Sequence, residues 1–263
     1  MIQSCEMYIR GRTVVFMIIR NEQDLESLRK IGRIVALARE EMKKQAKPGM
    51  TTKELDLIGK KVLDEHGAIS APEKEYDFPG TTCISVNEEV AHGIPGDRVL
   101  KEGDLINVDV SAALDGYYAD TGISFVLGQD EEKEKLCAAA ESAFWAAMKK
   151  VKAGAKQNQI GRAVSNDARK NGYTVIQNLT GHGIGLSLHE APNHILSYFD
   201  PMDSALLKDG LVLAVEPFIS MNADHIVELG DGWTFVTPDK SLVAQCEHTI
   251  VVTRGEPIIL TEL

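Results

Sequence analysis

The stretch LINVDVSAALDGYYADTGISFV, residues 105 to 126, decides how this chain is read. Two runs rich in β-branched and aromatic residues flank Asp115-Gly116, a dipeptide that closes a two-residue hairpin because both positions accept a left-handed backbone. Residues 105–110 and 117–126 therefore read as the arms of a β-hairpin. In that register residues whose numbers sum to 231 face each other, so Asp120 opposes Ser111 and Asp109 lies two places along on the same face. Carboxylates set among Ile, Val, Leu and Phe are expensive to bury unpaired. Side by side they repel until a proton or a cation separates them.

Outward from the hairpin the hydrophobic period changes. Leu25, Leu28, Ile31, Ile34, Val35, Ala38 and Met42 recur every three or four residues from Asn21 until Pro48-Gly49, which predicts one amphipathic helix. Thr52 is expected to cap a second, with Leu55, Ile58, Val62 and Leu63 on one face and His66-Gly67 at its end. Residues 83–86 read as a strand. Beyond the hairpin, residues 130–151 and 157–170 return to helix, and strand-like runs recur at 211–215, 233–236 and 249–252. The order helix, helix, sheet is thus written twice.

That order invites a search for an internal repeat. Lys47-Pro48-Gly49 matches Lys152-Ala153-Gly154, each opening a helix that ends at Gly67 or Gly172, an offset of 105 in both cases. KEGDLINVD (101–109) aligns with KDGLVLAVE (208–216), setting Asp109 opposite Glu216. DTGISFVLG (120–128) aligns with EHTIVVTRG (247–255), setting Asp120 opposite Glu247. His92-Gly-Ile-Pro95 likewise matches His189-Glu-Ala-Pro192. If the halves pack about a pseudo-twofold axis, four carboxylates reach one centre, and that much negative charge asks for two divalent ions. In GHGIGLSLHEAP (181–192) three glycines free the backbone around His182, the candidate nitrogen ligand. One imidazole with four carboxylates makes a hard, oxygen-rich site suited to Mn, Fe(II) or Co(II), with Zn an alternative. His66, His194, His225 and His248 stand in no motif and read as ordinary hydrogen-bonded imidazoles.

Composition agrees. The 263 residues are 44% apolar and 25% charged, enough for one large globular domain, and a net charge of -11 argues against a cationic nucleic-acid or lipid surface. The four cysteines, Cys5, Cys83, Cys137 and Cys246, show no CxxC spacing, which points to reduced thiols in a cytoplasmic protein. The apolar run 13–19 is too short to span a membrane and lacks a small-residue cleavage site after it. Residues 1–16 do not share the pattern of the rest of the chain. Met17 reads as a start, with residues 1–16 an upstream extension or a remnant of cloning and residues 17–263 a single catalytic domain.

NVD with Asp109, the second Asp of YADTG at Asp120, GHGIG with His182, VEPF with Glu216 and QCEHT with Glu247 together resemble the metal-ligand set of type I methionine aminopeptidases. The similarity runs from about Met17 to the C-terminus. It implies the pita-bread fold, an α+β unit of two pseudo-symmetric helix-helix-sheet halves around a central antiparallel sheet. The implied activity is cytosolic removal of the initiator methionine from nascent polypeptides whose second residue is small. By the same resemblance Asp120 and Glu247 bridge two divalent ions, Asp109 holds one, and His182 and Glu216 hold the other. Such ions acidify water and polarise the scissile carbonyl while Glu216 takes the proton, and His92 and His189 stand near the scissile amide. Phe78, Cys83, Leu188 and Trp233 are offered as walls of the methionine pocket. Leu188 replaces an aromatic common in relatives, and Cys246 replaces a larger side chain, so pocket shape is expected to differ.

The implied partners are peptide and nascent-protein N-termini beginning with Met, with a transient ribosome contact, no membrane, no sequence-specific nucleic acid and a monomeric state. Prolidases and Xaa-Pro aminopeptidases share the five ligands but usually carry a large extra N-terminal domain, for which this chain has no room. A catalytically dead module of the same fold would be expected to have lost ligands, and here all five positions are filled.

Overall fold

The computed structural model describes residues 5–9 and 12–263, with side chains from Phe16 onward. An N-terminal hairpin, β1 (Cys5–Ile9) and β2 (Arg12–Phe16), leads to Phe16, which is buried against the second of the two larger core clusters. Of the segment 1–16 expected to precede the domain, residues 1–4, 10 and 11 lie outside the described residues.

Helix α1 (Glu22–Gln45) starts where the Asn21 side chain accepts the Asp24 backbone N–H, and it buries Leu28, Ile31, Val35, Ala38 and Met42. Helix α2 (Thr52–Glu65) is capped one residue earlier than expected. Thr51 and Glu54 form a reciprocal capping box, while the Thr52 hydroxyl donates to the Gly96 carbonyl at 3.1 Å. Next come two short elements that hydrophobic periodicity does not signal: β3 (Ile69–Ser70) and α3 (Ala71–Tyr76), the latter capped by Ser70 and ended by Asp77 in a left-handed conformation.

Strands β4 (Cys83–Val86) and β5 (Glu89–Ala91) precede the decisive hairpin of β6 (Leu105–Leu114) and β7 (Tyr117–Val126). Asp115 and Gly116 turn with φ of 52° and 86°, and the register pairs Ser111 with Asp120 as the sum rule requires. The β6 arm runs to Leu114, farther than its β-branched run suggested, because β7 pairs with it up to the turn and β3 adds pairing at Ala112 and Ala113.

The second half repeats the plan with α4 (Glu131–Met148) and α5 (Asn158–Lys170). After β8 (Thr174–Val175), β9 (Gly181–Gly183) and β10 (Glu190–Ile195) come β11 (Val212–Val215) and β12 (Phe218–Ser220). The chain closes with β13 (Val227–Glu228), β14 (Phe235–Val236), β15 (Val243–Gln245), β16 (His248–Val251) and β17 (Ile258–Ile259). Residues 233–236 form less strand than expected, since the Asp231 carboxylate accepts the backbone N–H groups of Trp233 and Thr234 and holds them in a turn. Gly103 and Gly210, paired by the repeat, both turn at φ 83° just ahead of β6 and β11.

The sheet order β10-β9-β11-β16-β17 belongs to the second half, and β3-β6-β4 with β7 on β6 to the first. They meet where the Thr249 hydroxyl, on β16, bonds both the N–H and the carbonyl of Asp120 at 2.8 Å. The Glu247 N–H donates to the Gly122 carbonyl, also at 2.8 Å. Helices α1 and α2 cover one core cluster and α4 and α5 the other.

Candidate metal centre

Each acid reaches the centre from the end or middle of a strand. Asp109 and Asp120 project from β6 and β7 on one face, Glu216 stands in the break between β11 and β12, and Glu247 in the break between β15 and β16. His182 is the middle residue of β9, paired with Ala214 of β11. Its flanking glycines are needed for space: a Cβ at Gly181 would collide with the Ala214 carbonyl, and one at Gly183 with the Ala191 carbonyl.

Ligand-type atoms of Asp120, His182 and Glu247 lie within 4.8 Å of one another. His182 Nε2 is 3.5 Å from Glu216 Oε1 and 4.0 Å from Asp120 Oδ2. Glu247 is only 1% exposed, and Asp120 Oδ1 is buried with no hydrogen-bond partner. An unpartnered carboxylate oxygen in a buried cluster of acids, facing one neutral imidazole, is what a hard divalent cation satisfies. The donor set therefore fits divalent metal ions.

Without an ion the cluster retains protons. Burial, opposed by hydrogen bonds from Asp120 and Gln245, pushes the Asp109 pKa up to about 6. Burial first, then the charges of Asp109 and Glu216, hold Asp120 well above the carboxylate range; burial and Asp109 do the same to Glu216. Burial and then the Asp120 and Asp109 charges raise Glu247. Burial, then the neighbouring His189, lowers His182 to about 3, so its ring is neutral and ready to ligate.

One cavity of about 120 Å³ is lined by Asp109, Asp120, His182, Glu216, His92 and His189 together with Phe78, Cys83, Leu188 and Trp233. Every sequence-expected site residue except the deeply buried Glu247 thus faces it. Phe78 and Trp233 meet edge to face at 5.1 Å, an apolar wall. Burial, then the Asp109 charge, drives the Cys83 thiol pKa well up, which makes it a neutral lining group. His92 sits at φ 54° and burial lowers it to about 4, while burial also lowers His189, whose ring lies 4.2 Å from that of His182. The four remaining histidines behave as expected where their contacts are seen: His194 meets Thr180, His225 meets Asp224, and His248 meets Thr261.

Motif reading missed the residues that hold the ligands. Gln245 donates from Nε2 to Glu247 Oε2 at 3.0 Å, and its own carbonyl accepts from Asn107 at 2.7 Å. Its carboxamide lies where a Cβ on Gly122 would be. Gln245 ends β15 and Glu247 lies in the break that follows, so no strand period marked it in the sequence. Buried Arg39, on α1, donates to the Thr121 hydroxyl, which in turn donates to the Glu247 carbonyl at 2.8 Å. Tyr76, Ser111 and Thr180 also line the cavity. Ser111 was legible as the register partner of Asp120; Tyr76 and Thr180 carried no signal of their own.

Residues 26–254 match the metallopeptidase family M24. The chain belongs to that family, and its fold is the pita-bread fold that the repeat and the ligand motifs implied. Over 94% of its length it is 69% identical to methionine aminopeptidase 2 of Bacillus subtilis (strain 168), 100% of which is covered. The methionine aminopeptidase of Thermotoga maritima superposes with a TM-score of 0.90 at 34% identity, covering 94% of this chain and 100% of that one. That of Rickettsia prowazekii does so with a TM-score of 0.89 at 38% identity and the same coverage. The chain is a metal-dependent aminopeptidase, a hydrolase. Among the described residues no helix is long and apolar enough to cross a membrane.

Proposed function

We propose that the protein is a cytosolic type I methionine aminopeptidase that removes the initiator methionine from polypeptides whose second residue is small. Residues 17–263 act as its single catalytic domain, on nascent chains during a transient ribosome contact and as a monomer. The observation that carries the reading is the shared cavity, where an acid cluster with one neutral imidazole stands beside an apolar wall of Phe78, Leu188 and Trp233. Such a wall suits an unbranched thioether, and the names of the relatives supply the same substrate.

In this reading two divalent ions would be held by these five residues, Asp120 and Glu247 serving both, Asp109 one, and His182 and Glu216 the other. Manganese, iron(II) or cobalt(II) suits the oxygen-rich set, with zinc an alternative. Bound ions supply Lewis acidity toward the scissile carbonyl, a lowered pKa for water and an anchor for the free amino terminus. Glu216, freed of its own proton when a divalent ion is held beside it, accepts the proton of the attacking water. His92 and His189, held neutral by burial, donate hydrogen bonds to the tetrahedral oxygen or the leaving nitrogen. Phe78, Cys83, Leu188 and Trp233 exclude water from around the methionine side chain.

The test is release of methionine from Met-Ala-Ser, against cleavage of an Xaa-Pro dipeptide, as chelator-stripped protein is titrated with manganese, iron(II), cobalt(II) or zinc. Activity that rises with metal and is confined to the methionyl peptide is expected. Full activity of metal-free protein, or preference for the prolyl peptide, overturns the reading.

A further inference from the structure

We propose that Tyr76 is a positioning residue of this site: its hydroxyl donates to Nδ1 of His189 and holds the imidazole in the tautomer whose Nε2–H is left for the substrate. What His189 does with that proton rests on the aminopeptidase reading above. The contact itself rests on geometry.

Tyr76 is the last residue of α3, and its phenolic oxygen lies 2.7 Å from His189 Nδ1 with the two rings edge-on at 5.5 Å. Among the described residues that nitrogen is the hydroxyl's only hydrogen-bond partner. The neighbouring Glu75 carboxylate accepts the Leu188 backbone N–H at 3.3 Å, so the end of one short helix grips two consecutive residues of the loop that carries His189. From within that loop the Ser187 hydroxyl donates to the His189 carbonyl at 3.0 Å, and His182 packs against the imidazole at a centroid separation of 4.2 Å. The ring is therefore held from several directions, with Nδ1 committed to Tyr76 and Nε2 without a hydrogen-bond partner among the described residues.

The sense of the bond follows from the chemistry of the two groups. A neutral imidazole has one proton and one bare nitrogen, and the partner of one nitrogen decides which is which. A phenol is the stronger acid of the pair and a bare imidazole nitrogen the stronger base, so the polarity is O–H to N. With Nδ1 accepting, Nε2 carries the proton. That is the form able to donate to an oxygen on which charge develops, or to a departing nitrogen. Without the phenol the ring is free to exchange tautomers or to turn away, and only part of the population is competent.

Tyr76 is 43% exposed and its hydroxyl is no part of the core, so Tyr76→Phe removes the donor and keeps the ring packing. Long-range proton–nitrogen NMR spectra of histidine-labelled, zinc-loaded full-length protein, with His189 assigned by its absence in His189→Ala, read the tautomer directly. His189 of the unaltered protein is expected as the Nε2–H form, and Tyr76→Phe is expected to gain the Nδ1–H form. With Met-Ala-Ser, kcat should fall roughly three- to tenfold, the range of one neutral hydrogen bond, while KM and metal stoichiometry stay unchanged. An Nδ1–H tautomer in the unaltered protein, or a Tyr76→Phe variant with both tautomer and kcat unchanged, overturns the proposal. If the unaltered protein releases no methionine, the methionine aminopeptidase reading falls, and the tautomer comparison alone still decides what Tyr76 does.

Discussion

The two histidines of GHGIGLSLHEAP sit with rings 4.2 Å apart and yet face different tasks. His182 has Glu216 and Asp120 oxygens within 4.0 Å of Nε2, while His189, lining the same cavity, meets a phenol. Replacing His182 with Ala should therefore cost metal. Replacing His189 with Ala should lower kcat roughly ten- to a thousandfold with KM and metal content nearly unchanged, since an interaction made only as charge develops appears in kcat. Metal stoichiometry measured beside steady-state kinetics for both variants separates the roles. A fully loaded His182→Ala protein paired with a metal-depleted His189→Ala protein would show the roles to be exchanged.

At the scale of elements, the centre depends on how closely β7 and β15 approach. Gly122 pairs with Asp109 across the hairpin and leaves its Cβ space to the Gln245 carboxamide, which steadies Glu247. A methyl group there would displace that carboxamide while leaving the φ of the strand acceptable to any residue. Gly122→Ala should weaken divalent-ion affinity by roughly tenfold to a hundredfold, the range seen when an outer hydrogen bond to a ligand is lost. Competition against a fluorescent chelator measures this, and an unchanged affinity would show that Gln245 does not support the ligand. Helix α1 joins the same network from behind through Arg39 and Thr121, so the first helix of the domain is tied to the last acid of the site.

For the whole molecule the acid cluster is a liability that metal turns into a gain. In the metal-free protein the four carboxyl pKa values are raised, Asp109 to about 6 and Asp120, Glu216 and Glu247 well above the carboxylate range. At these sites the folded state binds more protons than the unfolded one and loses stability as pH rises, whereas His92 and His182, lowered to about 4 and about 3, act in the opposite sense until histidines of the unfolded chain are neutral, above about pH 6.5. A bound divalent ion replaces those protons and removes the slope. Thermal melts of chelator-stripped protein should show Tm falling between about pH 7 and about pH 8, where the histidines are neutral in both states, with the stabilisation by added manganese growing over the same interval. A metal-free Tm that rises across that interval would contradict this linkage.

Sequence by itself determined the hairpin, its register and the pairing of acids, because a two-residue turn and a strict alternation of faces leave no freedom once Asp115-Gly116 is recognised. It determined the two helix pairs for the same kind of reason, a period of 3.6 sustained over many residues. The ligand motifs were legible because charged residues in apolar strands are anomalies that local structure cannot explain. What only the tertiary structure decided lies between elements. The short helix α3 has six residues, too few for a period to register, and it brings Tyr76 to a histidine 113 positions away. Gln245, Asn107 and Arg39 look like ordinary polar residues in sequence, and their work appears only when strands and helices from both halves are packed within hydrogen-bond distance. Periodicity reports the environment of a residue on its own element, whereas a hydrogen bond between distant segments is set by how those elements are packed against one another.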